Sequence, residues 1–364
     1  MVFLSVADLT PGMCLARDIT YFDGSVGTIV TMKLGSKLTD MNITQMISSG
    51  SVTGAFIDEK SSEVRIISSI NTQIKEDAIN NLHSLADNFM DSGKGITESD
   101  IDKIGNTAEQ LIDELSGKKD ILINIADIKM YDDYTFHHCL SVAIMSIAIG
   151  VEMGLPRSQL NELGVAGMLH DIGKVSIPIE IINKKGRLTN DEFGTVKLHP
   201  VYAAQHIKAR NLVSTDCLAG VLMHHERWDG SGYPFGLKEE QIHLYARIMA
   251  VADVYDALTS NRPYRNPSPP NEAIEFIMGG MGSHFDENVV KAFLRKVAPY
   301  PVGSRVKLSN GENATVFKNN NSYPLRPIVT SDNGSLYDLG ADSRYMDIVI
   351  LGLDEPTMEK LIHG

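Results

Sequence analysis

The sequence predicts a mainly α-helical protein, with a small α+β module before the helices and a small β-rich extension after them. Three observations predict it. Apolar residues recur at spacings of three and four through most of the chain between about residue 71 and about residue 300. Short β-branched runs bounded by glycine and proline are confined to the two ends. Pro299-Tyr300-Pro301 marks an abrupt change of pattern between the helical part and the last part.

Residues 1–70 read as the α+β module, with turns at Pro11-Gly12, Gly24 and Gly35. Gly27 to Met32 and Val52 to Ile57 are strand candidates, and between them Asp40 to Ser49 reads as a helix with Thr39 as its N-cap and Gly50 as its stop. No ligand motif is legible there. The module is expected to be a packing or dimerisation unit, the second case making the chain a homodimer, with a sensor role as the alternative.

Residues 71–118 follow as a helical linker. Ile74, Ala78, Leu82, Leu85 and Phe89 form one stripe and Ile101, Ile104, Ala108, Leu111 and Leu115 a second, separated by Gly93-Lys94-Gly95, with Thr97 or Ser99 placed to cap the second helix. Each stripe lasts about two to three heptads, too short to favour a coiled coil.

Residues 119–300 are expected to be all helical. Ser141 to Met153, Leu160 to His170, Asp191 to Ala209, Asp216 to His225, Tyr245 to Ser260 and Asn271 to Met281 each carry helical apolar spacing. In residues 301–364, Val302 to Leu308 and Ala314 to Lys318 flank Asn310-Gly311, a strong two-residue hairpin signal, and Pro327 to Thr330 and Met346 to Leu351 are further strand candidates. No chemistry is expected of this extension.

Bulk properties narrow the function classes. With 364 residues, 43% hydrophobic and 22% charged, the chain reads as an ordinary globular protein of one sizeable core and small companions. A net charge of −13 without any lysine- and arginine-rich stretch argues against a nucleic-acid polymer as partner. The three cysteines, Cys14, Cys139 and Cys217, lack the spacing of a thiolate metal site and are too few and odd in number for a disulfide framework. The first residues lack a basic segment and a full apolar run, and nothing approaches the roughly 20 apolar residues of a membrane span, so a cytoplasmic protein without membrane insertion is expected.

The chemistry is concentrated in one pattern. His138, the dipeptide His170-Asp171, His199, the pair His224-His225 and Asp253 place five of the eleven histidines beside carboxylates within the helical part. Neutral imidazoles with carboxylates suit divalent first-row metals, whereas any one of these histidines alone would more often be a satisfied core residue. Burying all of them together without a cation would leave many polar groups competing for partners.

The surrounding segments carry a resemblance. YTFHH (Tyr134 to His138), MLHDIGK (Met168 to Lys174), GRLT (Gly186 to Thr189), LHP (Leu198 to Pro200), HHERWDGSGYPFGL (His224 to Leu237), ARIMAVADVYDALTSNRPYR (Ala246 to Arg265) and HFD (His284 to Asp286) together are similar to the HD-GYP family, metal-dependent phosphodiesterases that degrade cyclic di-GMP. The similarity spans about residues 125 to 297; a lone HD is weak, and HHE joined to DGSGYP is specific.

The resemblance implies an HD-type helical bundle and cyclic di-GMP as substrate. It assigns His138, His170 and Asp253 to one metal and His199, His224 and His225 to a second, with Asp171 bridging; iron is the expected metal and manganese the substitute. A hydroxide shared by the two metals would attack phosphorus in line, giving pGpG. Lys174 is implied to touch the phosphate or the nucleophile, Arg262 and Arg265 to grip phosphate, and Tyr233 either to stack on a base or to pack its loop. In relatives the DGSGYP loop is also discussed as a contact for cyclic di-GMP synthases. Some members place a glutamate four residues before the first histidine to help hold a third metal; Tyr134 stands there in this chain, so two metals are expected. Two alternatives remain: a catalytically weak cyclic di-GMP receptor signalling through its flanking modules, and an HD hydrolase for another cyclic nucleotide.

Overall fold

A computed structural model of the chain describes residues 2–6, 9, 11, 13–23, 28–49, 52, 54–57, 70–90, 95–116, 134–182, 184, 186–260, 268–297, 299–300, 302–320 and 323–353. The first part contains β1 (Val2–Ser5), β2 (Ile19–Asp23), β3 (Thr28–Met32), α1 (Asp40–Ser49) and β4 (Gly54–Ile57). β1 pairs antiparallel with β4, and β2 with β3. α1 has the predicted limits, and Thr39 caps it by accepting the amide of Asn42 at 3.2 Å. β1 and β2 go beyond the strands expected from the sequence, because β1 is only four residues long and its partner β4 lies some fifty residues away. Leu15, Tyr21, Leu38 and Met46 are the centre of this small core.

α2 (Thr72–Met90) and α3 (Glu98–Ser116) bury their stripes in the same core as the helices that follow. Thr97 caps α3 reciprocally with Asp100, whose carboxylate accepts the Thr97 amide at 2.9 Å and its hydroxyl at 2.7 Å. Next come α4 (Tyr134–Glu152), α5 (Arg157–Leu169), the four-residue α6 (Ile179–Ile182), α7 (Asn190–Val196), α8 (His199–Lys208), α9 (Thr215–Met223), α10 (Leu244–Thr259), α11 (Pro270–Gly279) and α12 (Glu287–Lys296). The predicted mainly helical class is what the structure contains.

α4 is the centre of the bundle, packed by α2, α3, α5, α10 and α12. It is apolar on every side, as a fully enclosed helix must be. Among the described residues it is the one helix long and apolar enough to cross a membrane, and 72% of that stretch is buried inside the fold, so enclosure accounts for its composition. It also begins seven residues before the expected Ser141, which puts His138 inside the helix.

Two expectations for this part need correction. Asp191 to Ala209 is not one helix: the chain breaks at Lys197-Leu198 and restarts with His199 and Pro200 at the head of α8. Pro200 has no amide hydrogen to give to the carbonyl of Val196, so the first helix cannot continue through it. α12, not anticipated as a helix, starts on Asp286, whose carboxylate accepts the Asn288 amide at 2.8 Å.

The last part is a five-stranded antiparallel sheet of β5 (Arg305–Leu308), β6 (Asn313–Lys318), β7 (Ile328–Ser331), β8 (Leu336–Asp338) and β9 (Ile350–Leu353), in the order β8-β7-β6-β5-β9. The expected β5–β6 hairpin turns at Asn310-Gly311, where Gly311 has φ +88°. β8 is a strand the pattern did not reveal. The Met346 to Leu351 candidate is shifted, because Arg326 holds the chain before β9 in an irregular path by donating to the carbonyls of Tyr345, Met346 and Ile348.

Candidate metal centre

Three helices end on the residues that make the site. His170 is the first residue past α5 and His224 the first past α9, where the last carbonyls of a helix have no amide to accept from. His170 Nδ1 donates to the carbonyl of Gly167 at 2.7 Å, and His224 Nδ1 to that of Val221 at 2.7 Å. His199 Nδ1 does the same to Val196, the end of α7, at 2.8 Å. That carbonyl is available because Pro200 cannot bond it. A carbonyl can only accept, so each ring carries its hydrogen on Nδ1, and in the neutral ring Nε2 is left as a lone pair.

Those lone pairs converge. His199 Nε2 lies 3.4 Å from His224 Nε2 and 3.2 Å from Asp171 Oδ1. His170 Nε2 lies 3.4 Å from Asp171 Oδ2, and His138 Nε2 lies 3.5 Å from the same oxygen and 3.1 Å from Asp253 Oδ1. Asp253 Oδ2 is 3.7 Å from His225 Nδ1. Donor atoms of Asp171, His199, His224 and His225 form one compact group, and those of His138, His170 and Asp171 a second, with Asp171 common to both. All seven expected ligands are thus brought together, and all but the partly exposed His225 are buried.

The donor set fits divalent cations on its own terms. His170 Nε2 and Asp171 Oδ1 are fully buried and have no hydrogen-bond partner. Acceptor facing acceptor is unfavourable unless a cation lies between them, and imidazole with carboxylate is the donor chemistry of first-row metals. Burial holds His224 well below the usual imidazole range, and it lowers His170 and takes His225 down to about 3, so these rings are neutral and ready to bind metal. Burial opposes protonation of His138 too, but its bonds to Asp253 and Asp256 outweigh that and push it up to about 9. Burial would raise Asp171 and Asp253, yet Lys174, His170 and His199 hold Asp171, and His138 and His225 hold Asp253, well below the carboxylate range.

His138 is anchored differently from the other rings. Its Nδ1 donates to the Asp256 carboxylate at 2.6 Å, an orienting contact absent from the sequence-level site. The signal for it was the spacing: Asp253 and Asp256 lie three apart on α10 and so share a face. Gly173 explains how the HDIGK segment reaches the centre. In the short 3-10 helix Ile172–Ser176, a side-chain carbon at position 173 would stand 2.0 Å from the carbonyl oxygen of His199, so only glycine lets Asp171 approach α8.

Lys174 donates to Asp171 Oδ2 at 2.5 Å. Tyr233 stacks on His225, with ring centroids 4.7 Å apart and planes 29° from parallel. Between them runs the loop, held by buried Glu226, whose two oxygens accept the amides of Phe235 at 2.7 Å and Leu237 at 3.0 Å. Gly232 permits the tight fold, since a side-chain carbon there would lie 2.3 Å from the Arg227 nitrogen. The His284 segment supports the loop from outside: the amides of Trp228 and Asp229 donate to the carbonyls of His284 and Ser283, and Asp286 pairs with Arg247 at 2.6 Å. Arg262 and Arg265 lie outside the described residues, as does the side chain of Tyr134.

Residues 109–289 match the model of the HD domain. The chain is 42% identical over 226 residues to a cyclic di-GMP phosphodiesterase of Pseudomonas aeruginosa, covering 61% of this chain and 54% of that protein. It is 40% identical over 195 residues to a cyclic di-GMP phosphodiesterase of Thermotoga maritima, covering 52% of each. A 3′3′-cGAMP-specific phosphodiesterase of Vibrio cholerae is 33% identical over 198 residues, covering 52% of this chain and 38% of that one. The chain therefore spans about half the length of the curated relatives it matches.

Proposed function

Residues 109–289 belong to the HD domain family, in its HD-GYP branch, and from that premise we propose that the chain is a metal-dependent phosphodiesterase hydrolysing cyclic di-GMP to pGpG. The observation that carries the reading is the convergence of His170, His199 and His224 lone pairs on Asp171, which serves both donor groups. His138, His170 and Asp253 would hold one cation and His199, His224 and His225 the other, with Asp171 able to serve both. Iron is the proposed metal, with manganese as its functional substitute. When bound, such cations would supply the Lewis acidity that activates water near neutral pH and offsets charge building on the phosphoryl oxygens.

The chain's own side chains do the rest. Lys174, already bonded to Asp171, has further ammonium hydrogens for the nucleophile or a phosphoryl oxygen. Arg262 and Arg265 are assigned to substrate phosphate, for which the planar guanidinium is suited. Tyr233 fixes the orientation of His225 and lines the substrate rim.

The test is anaerobic purification with metal analysis, then incubation with cyclic di-GMP, and in parallel 3′3′-cGAMP, with chromatography of the products. Two metals per chain and formation of pGpG are expected, and Asp171→Ala should lose both metals and all turnover. Tight binding of cyclic di-GMP without hydrolysis by fully loaded protein would replace the enzyme reading with the receptor reading. Faster cleavage of 3′3′-cGAMP would replace the substrate.

A further inference from the structure

A cyclic dinucleotide carries two phosphodiesters, and a centre that cleaves one leaves the other to be recognised elsewhere. The chain is strongly acidic, at −13, and the centre adds Asp171, Asp253 and Asp256, so that recognition calls for a cation not already spent on a carboxylate. Among the described residues near the centre, three cations are spent on carboxylates. Lys174 holds Asp171, Lys184 holds Glu192 at 2.6 Å, and Arg247 holds Asp286.

Lys197 is different. Its ammonium lies 4.7 Å from the ring centroid of Phe193 and 5.3 Å from that of Tyr233, and it makes no ion pair among the described residues. It occupies the break between α7 and α8, two residues before His199, where its amide donates to the Phe193 carbonyl at 3.0 Å. Tyr233 in turn stacks on His225. The ammonium is therefore held at the rim of the centre by two aromatic faces, which attract a cation without neutralising it. Phe193 is 46% exposed, so it supports Lys197 without enclosing it. A cation kept charged, oriented and free of a carboxylate beside a phosphodiester-cleaving centre is arranged for a second anion.

We infer that Lys197, set between Phe193 and Tyr233, binds the phosphodiester of the cyclic dinucleotide that is not being cleaved. The inference rests on the function proposed above and deepens it, because it predicts a preference for a substrate with two phosphates over one with a single phosphate.

The test compares cyclic di-GMP with bis(p-nitrophenyl) phosphate, which has one phosphodiester, using the full chain loaded with manganese. In Lys197→Met the ratio of kcat/KM for cyclic di-GMP to that for bis(p-nitrophenyl) phosphate should fall about tenfold through KM, the loss expected for one charge-assisted contact. Bound metal should stay at the wild-type level, and Lys197→Arg should restore most of the ratio. An unchanged ratio overturns the inference, as does loss of metal in Lys197→Met, which would make the residue a support for His199 instead. Wild-type protein that cleaves bis(p-nitrophenyl) phosphate and leaves cyclic di-GMP intact would overturn the proposed function, and this inference with it.

Discussion

His138 Nδ1 and Asp256 Oδ2 lie 2.6 Å apart, both buried, and tie the central helix α4 to α10 at the metal centre. Among the candidate ligands, His170, His199 and His224 give their ring hydrogen to a helix-end carbonyl, whereas His138 gives its own to a carboxylate. A carboxylate partner makes the ring a stronger donor and fixes which nitrogen faces the metal.

Asp256→Asn keeps the shape and removes the charge. Metal affinity should fall by roughly 10- to 100-fold, measured by competition with a chelator of known affinity. An unchanged midpoint in that titration would show that the carboxylate does nothing for His138 beyond packing.

Gly173→Ala should be among the most damaging small substitutions in the chain. The added carbon meets backbone on α8, 2.0 Å from the His199 oxygen and 2.7 Å from the Ala203 nitrogen, and neither can rotate away. Stability should drop by at least about 2 kcal/mol in urea unfolding, with loss of bound metal because Asp171 and His199 are pushed apart. Wild-type stability and metal content together would contradict the close approach.

Glu226→Ala leaves the partly exposed amides of Phe235 and Leu237 without their carboxylate acceptor, at a net cost of about 0.5–1.5 kcal/mol each. The loss falls on the loop and not on the ligands. Hydrogen exchange at those two amides should accelerate and KM for cyclic di-GMP should rise, with metal content held. Equal exchange rates in variant and wild type would rule out the anchoring role.

The product should be pGpG early in the reaction, with GMP slower or absent, because Tyr134 stands where some relatives have a metal-binding glutamate. A second cleavage needs the linear product to rebind in a shifted register. GMP appearing as fast as cyclic di-GMP disappears, with no pGpG transient, would defeat this argument from metal number.

The ligands were legible because their types and order are unusual: five histidines interleaved with carboxylates have few other uses. The long helices were legible from apolar spacing, and α1 from its cap and its glycine stop. Elsewhere the sequence carried less. β1 depends on a partner distant in the chain, and the break before His199 is hidden inside a continuous apolar stripe, although Pro200 marks it in retrospect. Asp256 reads as one more acidic residue of an apolar helix until α4 is seen beside it. Glu226 sits next to ligands and resembles one, but its oxygens face backbone amides of the loop.

α5, α7 and α9 all deliver their carbonyl ends to the ligand rings. Aligned peptide dipoles give each such end about half a unit of negative charge, adding to that of Asp171 and Asp253. The scaffold is thus electrostatically built for cations and against phosphates, and under the proposed function metals would have to reverse its sign before a dinucleotide could bind. Association should be obligatorily ordered, metal first: equilibrium dialysis should detect cyclic di-GMP on the metal-loaded protein and little or none after chelation. Equal binding in both states would mean that the field of the helix ends is overridden by cations elsewhere on the chain.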